Sequence, residues 1–114
     1  MTRTEVATLV ASIGLPYAYY QFDEGTEHAL PFVCFFYTGS NDVYADEANY
    51  QRIEGLSIEF YSAEKDFETE DAIEALLNQA GLTFYKEQNY IDSQKMWQTA
   101  YDMQIILTEE VTTE

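Results

Sequence analysis

The run Pro31-Phe32-Val33-Cys34-Phe35-Phe36-Tyr37 constrains this chain more than any other stretch. It is apolar or aromatic throughout, shows no alternation, and opens with a proline that cannot donate a ladder hydrogen bond at that position. Seven residues are too few to separate strand from helix by period, but the length and the Phe/Val/Tyr content favour a strand. A strand without alternation is covered on both faces. The run therefore reads as a central strand with helices on one face and a different cover on the other. In so small a protein that second cover includes the option of a neighbouring subunit.

The 114 residues are enough to bury a core without staples and suit one α+β domain, taken as 1–108 with an acidic, frayed tail at 109–114. Aromatics reach 16%, ten of them Tyr, and 21 acids against five bases leave a formal charge of −16. Such a surface repels phosphate backbones, so direct binding to nucleic acid or to an anionic membrane is not expected, and a basic partner suits it. The single Cys34 lies in the apolar run, where a thiol behaves as a small buried hydrophobe, and one cysteine fits a reducing compartment. Met1–Ile13 is polar and helix-patterned, unlike a signal peptide, and no apolar run approaches membrane length.

Thr2-Arg3-Thr4-Glu5 is a capping-box pattern, followed by Val6, Leu9, Val10 and Ile13 at helical spacing and by Gly14 and Pro16 as stop signals. The spacing predicts a helix over Thr2–Ile13. Tyr17–Phe22 reads as a short strand, Asp23–Leu30 as a polar loop, and Pro31–Thr38 as the organising strand. Gly39-Ser40-Asn41-Asp42 is a turn cluster. Val43–Ser62 reads as an interrupted strand whose second half alternates: Leu56, Ile58 and Phe60 on one side, Ser57, Glu59 and Tyr61 on the other. A bulge is expected at Gly55, and 37–52 becomes a long hairpin. Asp66 caps a second helix with Ile73, Leu76, Leu77 and Ala80 as its stripe and Gly81 at its end. Thr83–Tyr90 and Met96–Thr108 complete the strands, with Trp97, Tyr101, Met103, Ile105 and Leu107 on one face. The expected fold is α+β in the order α-β-β-β-α-β-β: a mainly antiparallel sheet, both helices on one face, and a long hairpin between its second and third strands. Gly14-Leu15-Pro16-Tyr17 and Gly81-Leu82-Thr83-Phe84 suggest one α-β-β motif used twice.

Nothing in the pattern points to catalysis. His28 stands near Asp23, Glu24 and Glu27, yet one histidine without cysteine partners is a poor transition-metal site. Asp42, Asp46 and Glu47 lack the alternating oxygen ligands and glycine of a calcium loop. Cys34 has Phe and Val neighbours instead of an electropositive surrounding. With no phosphate loop, nucleophile elbow or basic patch, no catalytic residue, metal or cofactor is expected. Most aromatics are simplest as core: Phe32, Phe35, Phe36, Phe60 and Trp97. Tyr44, Asp46, Asn49 and Tyr50, on the hairpin, are the candidate protein-interface residues, because Tyr supplies a rigid apolar body with one polar end. The competing reading folds those tyrosines back onto their own sheet.

Four stretches together carry a family resemblance: the Thr2–Val6 helix start ending at Ser12-Ile13-Gly14-Leu15-Pro16, Pro31-Phe32 opening a strand, Val43-Tyr44-Ala45-Asp46, and Leu56-Ser57-Ile58-Glu59-Phe60-Tyr61 before an Asp66-capped helix. The chain resembles the tail terminators, or head–tail joining proteins, of long-tailed phages and prophages of Gram-positive bacteria. The resemblance implies a small α+β protein that forms a hexameric ring on the tail tube and stops tube polymerisation. It implies three partners, namely further copies of the chain, the tail tube protein and the head connector. The implied location is the virion, and the host cytoplasm during assembly. A ring of subunits at −16 each is opposed by its own charge at low salt, so association is expected to strengthen as salt rises. The alternative is an acidic DNA mimic that occupies a nucleic-acid-binding protein, although the acids scatter along the chain instead of marking one face.

Overall fold

Thr2 begins the first helix as the capping box requires: its side chain accepts from the Glu5 N–H, and Glu5 accepts from the Thr2 N–H. The structure is a computed structural model that describes residues 1–21, 29–40, 43–45 and 48–108. Helix α1 spans Arg3–Ala11 and α2 spans Phe67–Gln79. Asp66 caps α2 by accepting from the Thr69 N–H, and Gly14 and Gly81 take the left-handed backbone that ends each helix region. The strands are β1 (Tyr17–Tyr19), β2 (Phe32–Ser40), β3 (Val43–Ala45), β4 (Ala48–Gln51), β5 (Ile53–Ser62), β6 (Phe84–Ile91) and β7 (Met96–Ile106).

Five of these strands form one sheet in the order β1-β2-β5-β7-β6, while β3 and β4 pair with each other as a separate two-stranded ribbon. The organising run is β2, next to the edge, with antiparallel β5 as its inner neighbour and parallel β1 outside it. Both helices pack on one face. There Val6, Val10, Ile73 and Leu77 meet Val33, Phe35, Leu56, Ile58, Phe60, Tyr101, Met103 and Ile105 in a single apolar cluster. Full burial of each such side chain contributes roughly 1.5–3 kcal/mol, so this face holds most of the fold's hydrophobic stabilisation.

The structure corrects the expected topology in two places. The sheet is mixed instead of mainly antiparallel, because Tyr17–Tyr19 runs parallel to β2. Parallel neighbours need a crossover of about a dozen residues, and the segment 20–31 supplies that length. A three-residue strand has no pattern that reveals its direction. The order is also α-β-β-β-β-β-α-β-β, because the expected hairpin is interrupted at Arg52 and its outer part forms the β3–β4 ribbon. Nor do the two α-β-β segments match: β1 and β2 are parallel, whereas β6 and β7 are antiparallel.

Smaller differences have local causes. The bulge falls on β2, where Thr38 is skipped between Tyr37↔Leu56 and Gly39↔Gly55. Gly55 lies opposite it because a Cβ there would stand 1.9 Å from the Thr38 hydroxyl. Ala80 is exposed, and the inward residues of α2 are Glu70, Ile73 and Leu77. Strand β1 ends at Tyr19, before Tyr20, whose φ of 68° turns the chain out of the sheet, and Phe22 lies outside the described residues.

Candidate functional site

The ribbon is where the sequence placed an interface, and the backbone sets those residues in register. Tyr44 pairs with Asn49 across β3 and β4, and the register skip between Val43 and Tyr44 makes Tyr50 the extra residue of a bulge. Asp46 lies outside the described residues, as do His28, Asp42 and Glu47. The ribbon's strands pair with each other and are not hydrogen-bonded into the five-stranded sheet. A lone two-stranded hairpin is marginally stable at best in water, so a ribbon of this kind gains from a surface to rest on.

Unpartnered surfaces are the second feature of the site, and the sequence reading did not single them out. Among the described residues, three exposed aromatics lie together at the β1 edge, where Tyr17, Tyr19 and Tyr20 are 44%, 52% and 62% exposed. Tyr17 and Tyr19 lean on Phe35 on the helix side of the sheet, with ring centroids 6.5 and 5.3 Å away. Tyr19 also meets Tyr37 at 5.8 Å, and the Arg3 guanidinium lies 5.9 Å over the Tyr37 ring. Tyr20 instead packs edge-on against Phe36, 5.6 Å away on the opposite face. Its positive φ makes this possible, and the Tyr20 N–H donates to the Phe35 carbonyl at 2.7 Å. The three tyrosines therefore wrap the edge of the sheet. The sequence signal was present in three tyrosines within four positions, but three residues of strand do not reveal which sides they take.

A second aromatic group sits at the far end of the sheet. Phe67 is 65% exposed, the Lys65 ammonium stands 4.9 Å from its ring, and Trp97 meets Tyr90 at 5.2 Å. Glu64, Asp66, Glu68 and Asp92 lie in the adjoining segments.

The third surface is the sheet face away from the helices. Phe32 stacks on Tyr61 at 5.0 Å there. The Tyr61 hydroxyl donates to Glu59 at 2.9 Å, and Gln98 donates to both Glu59 and Tyr61. Burial pushes the Glu59 carboxyl above its ordinary range, and the Asp102 charge adds to this against the Tyr61 hydrogen bond. Cys34 is buried beside Glu59, and desolvation, with the Glu59 charge, raises its thiol to about 11. It is an inert thiol at neutral pH. This face carries Glu59, Asp102 and Glu87 and no base.

Under α2 lies a polar group that the sequence did not reveal. Glu70 is 1% exposed, yet it accepts from Lys65, from Lys86 at 2.9 Å and from Gln88 at 3.1 Å. Lys86 also reaches Glu74 at 2.8 Å, and the Tyr101 hydroxyl donates to Glu74 at 3.1 Å. Desolvation pulls Lys86 down, but its hydrogen bonds to Glu74 and Glu70 and their charges carry it above the ordinary lysine range. Every carboxylate here has a cation, so the cluster is a satisfied lock between helix and sheet with no group left over for catalysis. The clue in the sequence was Lys86, which falls on the inward positions of β6 between Phe84 and Gln88.

No protein-family profile matches the chain, and no curated protein matches it. Its fold is similar to that of a chain in the virion of a native gene transfer agent particle, with a TM-score of 0.56 and 16% identity over 86% of this chain and 82% of that one. At that identity the likeness establishes the shared fold.

Proposed function

We propose that this chain is a structural component of a phage-like particle, and that within it the protein acts as a tail terminator. In this reading copies close into a ring on the tail tube, end its polymerisation and present the surface to which the head docks. The observation that carries the proposal is the likeness of fold to a chain of a gene transfer agent virion across most of both chains. A separately paired ribbon and an exposed tyrosine edge support it, because a ring closes by joining two different patches of each subunit. The role is non-catalytic and needs no cofactor. A DNA mimic would array its acids along one face, whereas Glu70 and Glu74 are turned onto lysines and Glu59 and Asp102 lie on the opposite side of the sheet.

The test is electron microscopy of particles made after the reading frame is deleted from the genome that carries it. Overlong tails separate from filled heads, restored by complementation, are expected. Normal, joined particles would overturn the proposal.

A further inference from the structure

We infer that the outer edge of β6 docks an extended segment of a partner protein, one in which basic and apolar residues alternate. The segment adds to the five-stranded sheet as a further strand. This contact is independent of the ring and of the tail-end role proposed above, so either can fail without the other.

The two edges of the sheet are built differently. Folded proteins blunt an edge with a short strand, a proline, a bulge or a covering element, because its main-chain groups otherwise invite another strand. The β1 edge is blunted: it is three residues long, and Tyr20 with its φ of 68° leads the chain away. Strand β6 has none of these devices. It runs eight residues without glycine or proline, and it pairs with β7 from Phe84↔Met103 to Ile91↔Met96 with no skip. Among the described residues no strand or further main-chain hydrogen bond reaches its outer side. Tyr85 and Tyr90 are 66% and 46% exposed, and 87–89 are exposed as well. Lys86, its inward charge, is already held by Glu70 and Glu74.

A row of unpaired N–H and C=O groups is complementary to another extended chain, whose side chains alternate between the two faces of the sheet. The surroundings of β6 differ on those faces. Away from the helices stand Glu87 on β6 itself and Asp102 and Glu59 further in, with no base, so side chains entering there should be basic. On the helix side the rim is Phe84, the Lys86 stem and the Tyr90 ring against Trp97, which suits apolar side chains. The other bases leave this balance intact. Arg3 lies over Tyr37, Arg52 precedes β5, Lys65 is on Glu70, and Lys95, in the turn after β6, pairs with Asp92. A second copy of this chain does not fit the edge: its five bases are scattered singly, and its charge of −16 meets an acidic rim.

The experiment adds a synthetic peptide of alternating arginine and valine, equal in length to β6, to the full chain at low salt. Amide NMR and hydrogen exchange follow its binding. Exchange is expected to slow at every second amide of β6 and at none of β1. Two further peptides, N-methylated on the arginines or on the valines, separate strand pairing from general attraction to an acidic surface. The one whose methyl groups face the edge should lose binding while the other keeps it. Glu87→Gln and Asp102→Asn should each weaken binding roughly three-fold, as removal of a partly exposed charge does, with circular dichroism as the check on folding. Equal affinity of the two methylated peptides, or unchanged exchange along β6, would overturn the inference. So would β6 amides protected in the free protein in proportion to its concentration, since a second copy then holds the edge.

Discussion

Replacing Lys86 by Met tests whether the polar cluster under α2 is a lock, because the substitution keeps the apolar stem and removes only the charge. Lys86 is 29% exposed and reaches two carboxylates, Glu70 at 2.9 Å and Glu74 at 2.8 Å. Removing one partner of a buried pair costs roughly 3–5 kcal/mol, chiefly because the other charge is left behind. Lys65 remains on Glu70 and Lys86 is partly hydrated, so the low end applies, about 3 kcal/mol. At about 4 °C per kcal/mol, the melting temperature should fall by roughly 12 °C, read by circular dichroism and urea unfolding. Adding Glu70→Gln should recover part of the loss, since the stranded charge is gone. The pH dependence has a definite sign. A lysine raised in the folded state contributes stability that is present below its ordinary pKa and lost as pH rises through the folded value. The difference between wild type and Lys86→Met should therefore be full at neutral pH and shrink only in the alkaline range. A change within about 0.5 kcal/mol, or costs for Lys86→Met and Glu70→Gln that simply add, would refute the lock.

Other expectations are simpler. Gly55→Ala should cost about 1–3 kcal/mol by overpacking against the Thr38 hydroxyl, and adding Thr38→Ala should return most of it in a thermal melt. Glu59→Gln should stabilise the protein at pH 7, because burial raises this carboxyl and its ionised form opposes folding. That gain should vanish below about pH 4, where both states are protonated in the wild type. Self-association measured by light scattering should strengthen from low to moderate salt at a charge of −16 per copy, and weakening with salt would count against an apolar contact between acidic chains.

Local chemistry was the most legible part of the sequence. Thr2 with Glu5, Asp66, Gly14 and Gly81 fixed both helix ends, because caps depend on neighbours a few residues away. The alternation of Leu56, Ile58 and Phe60 gave the inward face of β5 for the same reason. What stayed hidden depends on pairing at long range. The direction of β1 is set by its partner and its crossover, which leave no mark on three residues. The burial of Glu70 leaves no local mark in the sequence because the lysine that justifies it, Lys86, arrives from another strand. The tyrosine edge was visible as composition, but its exposure follows from the position of β1 at the rim of the sheet.

The distribution of the bases explains why aromatic surface matters so much in this chain. Only five are present against 21 acids, and Lys65 and Lys86 are committed to the buried carboxylates of α2. Arg3 lies over Tyr37, and Lys95 pairs weakly with Asp92 at 3.7 Å on an exposed turn. Few cations remain to form ion pairs across an interface, so copies cannot be joined by alternating charge. In the proposed ring, contacts between copies would draw on apolar area large enough to overcome repulsion that salt screens, and tyrosine supplies such area with little side-chain entropy to lose. A partner richer in lysine and arginine faces no such opposition and can use the same acids as steering groups. The composition thus favours two kinds of contact: a tyrosine-based, salt-strengthened one between copies, and an electrostatic, salt-weakened one to any basic neighbour. Opposite salt dependence for homotypic and heterotypic binding, measured on the same protein, follows directly from that division.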